Sequence, residues 1–411
     1  MDNPLAPVDT GAHSSEISDR FLNQLGPLLI LTSIFFLNFI CRITLAPLIP
    51  EIEINFNLTH AEAGALFFLI SLGNFITLTG SGFISSRLNH KRTIIISNTA
   101  TGLALIGIVF CKDIWSLRLA LFMLGMATGL YLPSGIATLT GLIKPRHWGK
   151  ALAIHDIAPN LSIVAAPLIA EAIMIRYSWR IIFVLFGIAA LVMSPLFARL
   201  GRGGESFGEA PSFLSLRELS TKSSYWIMVL FFSIGICATL GIYTMLPLYL
   251  VTEHAIDRSL ANTLIALSRL SGLIMAFVGG WAADRFGSRW TLKIIFIISG
   301  IMTVLLAVVP SSYIPLMVFL QPLVAVCFFP VGFAALSFIV PPESRNIAVS
   351  LTVPLASVIG GGLVPIFIGI IGDISSFAIA IAICGGLITA GAFFTGILKF
   401  HNQEKGITNG S

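Results

Sequence analysis

Apolar runs of 20 residues or more, separated by short polar turns, recur along the whole chain. Each is long enough to cross a hydrocarbon core of about 30 Å as a helix rising about 1.5 Å per residue. The ten-residue alternation of a membrane barrel does not occur, and open strands would leave backbone polar groups unpaired in lipid, so the runs read as helices. Twelve spans are expected, at 24–48, 61–83, 93–111, 115–142, 151–175, 179–198, 224–250, 260–283, 290–309, 313–340, 346–371 and 375–398. The longest polar interruption, 201–222, falls between the sixth and seventh. It begins Gly-rich and continues as Phe213-Leu-Ser-Leu-Arg217-Glu218-Leu, an amphipathic stretch suited to the inner membrane interface.

Composition agrees with a chain dissolved in lipid. Apolar residues make up 56% of the 411 and charged residues 10%, against about 25% charged in soluble domains. The first apolar run is too long for a signal-peptide core and reads as a retained anchor. Five cysteines are scattered through apolar segments without Cys-x-x-Cys spacing, so neither disulfides nor a metal site is indicated. The net charge of +5 follows topology and not nucleic acid. With both termini inside, cytoplasmic segments hold 17 Lys and Arg and outer segments five, which orients the chain by the positive-inside rule. Arg42 and Arg269 belong to neither set; both fall inside spans.

Two internal matches divide the chain in half. Gly82-Phe-Ile-Ser-Ser86-Arg87-Leu-Asn89-His-Lys91-Arg92 lines up with Gly280-Trp-Ala-Ala-Asp284-Arg285-Phe-Gly287-Ser-Arg289 at an offset of 198. Tyr131-Leu-Pro133-Ser-Gly135 lines up with Phe328-Phe-Pro330-Val-Gly332 at an offset of 197. Duplicated six-span units with a basic turn at the same place in each are a transporter pattern.

These residues resemble the major facilitator superfamily, whose loop between helices two and three carries Gly-x-x-x-Asp-Arg-x-Gly-Arg-Arg/Lys, often echoed between helices eight and nine. The second copy matches at Gly280, Asp284, Arg285, Gly287 and Arg289. The first has Ser86 in place of the acid and Asn89 in place of the turn glycine; Asn is the non-Gly residue best able to take a left-handed turn. Arg146-x-x-Gly149-Lys150-Ala151 and Tyr177-Ser-Trp179-Arg180-x-x-Phe183 also match. The resemblance implies an all-α membrane protein of twelve transmembrane helices in two pseudo-symmetric six-helix halves. Its parts would be a cytoplasmic tail 1–22, a half 23–199, a linker 200–222, a half 223–399 and a tail 400–411. It further implies a cytoplasmic gate of Arg87, Arg146, Asp284 and Arg285, a bacterial inner-membrane location and a monomer.

No Gly-x-x-x-x-Gly-Lys-Ser/Thr occurs and no catalytic constellation stands out, so a gradient-driven carrier is expected, not an enzyme, with no cofactor and no metal. Arg42 lies beyond the middle of the first span and shares a helical face with Asn38 and Phe35. Arg269 lies about ten residues from either end of the eighth span, with Asn262 and Ala266 on its face. An arginine at such depth costs at least about 2.5 kcal/mol and should meet a wet cavity or a partner. Guanidinium groups present planar paired donors to carboxylate or phosphate, so a small anionic substrate is expected, bound by Arg42, Arg269, Asn38, Tyr131 and Asn262. The segment from Asn38 to Glu51 resembles first helices of anion:cation symporters and organophosphate carriers, which use an arginine there for the anion, though many carry Asp where this chain has Cys41. An arginine in the eighth helix resembles the monocarboxylate branch. Coupling to a proton or cation is expected, with His155 or Asp156 in the fifth span as the proton carrier. Export of drugs, siderophores or metabolites by proton antiport is the rival reading. Glu171 and Asp373, near outer span ends, are expected to be solvated.

Overall fold

The computed structural model describes residues 24–208, 221–339 and 345–398. The expected tails 1–22 and 400–411 and the amphipathic stretch 213–219 lie outside the described residues. Helix dominates and no strand occurs among the described residues. Eleven helical stretches are long and apolar enough to cross a membrane: Leu25–Phe56, His60–Val109, Ile114–Leu142, Pro145–Met174, Arg180–Leu200, Ser223–Thr252, Arg258–Phe286, Ser288–Val308, Ser311–Ile339, Ala348–Ile374 and Phe377–Ile397. The second is 50 residues long and breaks at Asn89, whose φ of 61° is left-handed, so it makes two crossings. The twelve spans are α1 (Leu25–Phe56), α2 (60–88), α3 (90–109), α4 (Ile114–Leu142), α5 (Pro145–Met174), α6 (Arg180–Leu200), α7 (Ser223–Thr252), α8 (Arg258–Phe286), α9 (Ser288–Val308), α10 (Ser311–Ile339), α11 (Ala348–Ile374) and α12 (Phe377–Ile397). The end where α1 begins is called the base here, and the end where it finishes the far end.

The duplication is carried into packing. In the first half α1 lies on α5, α2 on α4 and α3 on α6; in the second α7 lies on α11, α8 on α10 and α9 on α12. Lipid supplies no hydrophobic drive between helices, so such crossings depend on small residues that let backbones approach. Gly102 and Gly187 supply one in the first half: a Cβ added at Gly102 would sit 2.9 Å from the Gly187 carbonyl oxygen. Gly300 and Gly385 repeat it 198 residues on, where a Cβ at Gly385 would sit 2.9 Å from the Gly300 carbonyl oxygen.

Helix interruptions recur at matched positions. The α4 helix breaks at Leu130, before Tyr131, and α10 breaks between Ala325 and Phe328, the residue 197 beyond Tyr131. The α1 helix breaks at Thr44, and α7 carries a π turn over Cys237–Gly241 at the corresponding level. Asn89 (φ 61°, ψ 166°) and Gly287 (φ 81°, ψ 148°) turn the two basic loops in the same way. The Asn89 side chain accepts the Arg92 N–H at 2.9 Å, which starts α3.

Valine at Gly102 is expected to force α3 from α6, lowering stability by about 1–3 kcal/mol, as overpacking does. Valine at Gly107, on the same helix with open space around it, should leave the thermal midpoint in detergent much nearer that of the parent. Equal midpoints for the two variants would contradict the crossing.

Candidate functional site

Arg42 sits two residues before the α1 break and Arg269 midway along α8. Their surroundings are alike. The Arg42 guanidinium lies 4.9 Å from the Phe39 ring centroid and that of Arg269 lies 4.9 Å from the ring of Tyr243. Arg269 donates to the Thr239 carbonyl at 3.3 Å, inside the π turn of α7. Each arginine has a buried Nε with no hydrogen-bond partner, and neither has a carboxylate within ion-pair distance among the described residues.

The two lie at one level of the bundle. Asn262 of α8 donates to the Pro47 carbonyl of α1 at 3.3 Å, which ties the helices together above them. From that contact Arg42 is five residues toward the base and Arg269 seven, because α1 and α8 run in opposite directions. At the helical rise these are descents of about 7.5 and about 10.5 Å. The Tyr243 hydroxyl donates to the Ile163 carbonyl of α5 at 3.4 Å, so the Arg269 environment abuts the first half.

The remaining expected site residues are dispersed. Asn38 is buried and donates to the Thr128 carbonyl at 3.0 Å. Tyr131 is buried, donates to the Leu31 carbonyl at 2.8 Å and meets His155 Nε2 at 3.0 Å. The His155 ring is sealed, stacked on Phe35 at 4.4 Å, whereas the Asp156 side chain, 3.9 Å from His155 Nδ1, is 71% exposed. This divergence follows from the 100° step between neighbours on a helix. At the base, Arg87, Arg146, Asp284 and Arg285 are exposed; Arg146 bonds His147, and the other three have no ion-pair partner among the described residues.

At the far end lies a polar network that the sequence did not disclose. Arg258 of α8 reaches Glu51 of α1 at 2.7 Å and Glu171 of α5 at 3.3 Å, while Asn262 donates to Glu171 at 2.6 Å. Glu171 is therefore buried and paired, not solvated, because the opposite half covers it. Asp373 is exposed but not idle: it accepts the His60 and Ala61 N–H groups, both at 2.9 Å, and so caps α2 from the other half. Glycines close the same seam, Gly64 against the Pro365 backbone and Gly369 against that of His60. Beside Arg258 a cavity of about 360 Å³ is lined by Glu51, Asn55, Tyr177, Trp179 and Arg180. One signal was available in the sequence: Arg258, Asn262 and Arg269 fall on one face of α8.

The family model for the Major Facilitator Superfamily matches residues 31–257 and 241–409. The chain belongs to that superfamily. It is 25% identical to the membrane sensor protein UhpC of Salmonella typhimurium over 309 residues, 69% of each chain. It is 25% identical to the probable L-galactonate transporter of Escherichia coli over 291 residues, 63% of this chain and 64% of the relative. The solved D-xylose–proton symporter superposes with a TM-score of 0.77 over 94% of this chain and 99% of its own, at 16% identity, a likeness of fold. The protein is an integral, multi-pass membrane protein of a transporter superfamily.

Removing one partner of a buried ion pair leaves an uncompensated charge, at a cost of about 3–5 kcal/mol. Arg258→Ala should accordingly lower stability strongly through Glu171, and adding Glu171→Gln should restore much of the loss. A double-mutant cycle on unfolding midpoints checks this; additive effects would show that the two side chains do not interact.

Proposed function

We propose that the protein is a secondary carrier that moves a small organic anion, a sugar acid or similar carboxylate or a phosphate ester, by proton or cation symport. The observation that carries this reading is the pair of guanidinium groups at one level of the bundle, one from each half, each with an enclosed Nε and neither with a carboxylate within ion-pair distance among the described residues. Burying a permanent charge is costly unless something neutralises it, and an anionic substrate shared between the two would do so. A site between halves is also where alternating access needs its cargo. The resemblance to a probable L-galactonate transporter supports a carboxylate among anions.

The far-end network around Arg258 then serves as one gate, and Arg87, Arg146, Asp284 and Arg285 as the opposing cytoplasmic gate, with the base facing the cytoplasm. Proton coupling is assigned to His155, in contact with Tyr131 and Asp156. The resemblance to a membrane sensor favours a second reading, a protein that binds the same anion without carrying it.

Binding is the direct test. In a thermal-shift series with galactonate, lactate and glycerol phosphate, one anion should stabilise the purified protein, by about 2.7 kcal/mol at a hundredfold excess over Kd. Arg269→Ala and Arg42→Ala should each abolish the shift while the protein still inserts and folds. Shifts that survive both substitutions would remove the anion site. Uptake of the binding anion into proteoliposomes, accelerated by an inward proton gradient, separates carrier from sensor.

A further inference from the structure

The linker does not leave the first half as a free tether. Where Asn89 breaks the chain, the first N–H groups of α3 have no acceptor within their own helix. Residues 201–208 supply them: His90 N–H donates to the Ser206 carbonyl at 3.1 Å and Lys91 N–H to the Gly204 carbonyl at 2.7 Å. In return Gly208 N–H donates to the Ser85 carbonyl at 3.1 Å. The Lys91 ammonium donates to the Gly201 carbonyl at 2.9 Å and stands 3.8 Å from the Glu205 carboxylate. Glycine is required for this path. Gly203 and Gly204 have φ of 80° and 81°, and a Cβ on Gly204 would lie 2.7 Å from Thr138 Oγ1 of α4 and 3.0 Å from the Lys91 nitrogen.

The second half shows what this segment adds. Arg289, 198 residues beyond Lys91, bonds the Leu398 carbonyl at the end of α12, as Lys91 bonds Gly201 at the end of α6. The two turns therefore share a fold and an anchor, but differ in charge. The second carries Asp284 where the first carries Ser86, and on the first the linker carboxylate Glu205 stands beside the basic Lys91.

We propose that residues 201–208 are a docked strap that completes the first basic turn, and that Glu205 provides there the carboxylate that the second turn carries as Asp284. This rests on the reading of these turns as a cytoplasmic gate. In a pseudo-twofold gate that pairs Asp284 with Arg87, the position facing Arg285 is Ser86, which is neutral. Glu205, 70% exposed and held at the same turn, is the carboxylate that takes its place opposite Arg285 when the base closes.

Two measurements on the full-length protein in nanodiscs test the parts separately. Hydrogen exchange over residues 88–92 should rise at least tenfold in Gly204→Val and stay at the parent rate in Glu205→Gln. Gly208→Val, which meets Ser85, gives a second and independent break. Unchanged exchange in both valine variants would overturn the strap. Cysteine pairs then report the gate, using a short bifunctional thiol reagent on Glu205→Cys with Arg285→Cys and on Arg87→Cys with Asp284→Cys. Cross-linking of both pairs is expected. Cross-linking of 87 with 284 but not 205 with 285 would overturn the role given to Glu205, and cross-linking of neither would overturn the gate itself while leaving the exchange result standing.

Discussion

A guanidinium group cannot discharge itself by losing a proton under any ordinary condition, so its burial must be answered by something else. That constraint governs the middle of this bundle. Arg258 has two carboxylates, but Arg42 and Arg269 have an aromatic face each and, for Arg269, one carbonyl. Rings and carbonyls orient a cation without cancelling it. Among the described residues, then, Arg42 and Arg269 carry charge that no carboxylate offsets.

The two ends of the bundle are built on different principles. The far end closes by close contact and by charge: glycines bring α2 and α11 together at the backbone, Asp373 caps one half from the other, and Arg258 bridges two helices of the first half. The base carries exposed charge on two basic turns of matching shape. The contrast is between an end closed by contacts across the halves and an end at which Arg87, Asp284 and Arg285 are exposed.

Much of this was legible in the sequence because it is local or periodic. Span positions follow from apolar run length, the halves from two repeats at nearly one offset, and the bend at Asn89 from the tolerance of Asn for positive φ. The single-chain pattern misjudged Glu171, since an acid near a span end looks solvated until a helix about 90 residues later is laid over it. Asp373 eluded it likewise, as its partners are backbone N–H groups some 310 residues away. Of the expected site residues, Asn38 and Asn262 share helical faces with the arginines, yet their amides are committed to Thr128, Pro47 and Glu171. Spacing reveals direction around a helix; it does not reveal what else competes for a donor.

The paired contacts Lys91–Gly201 and Arg289–Leu398 have an implication for ancestry and assembly. Each joins the third helix of a half to the end of its sixth, placing a cation against a helix C-terminus where the macrodipole favours it. Every six-helix unit is thereby clasped upon itself, and carries its own buckle instead of borrowing one from its twin. Duplication of such a unit yields two self-fastened bodies from the outset, which leaves the surface between them free to specialise in movement.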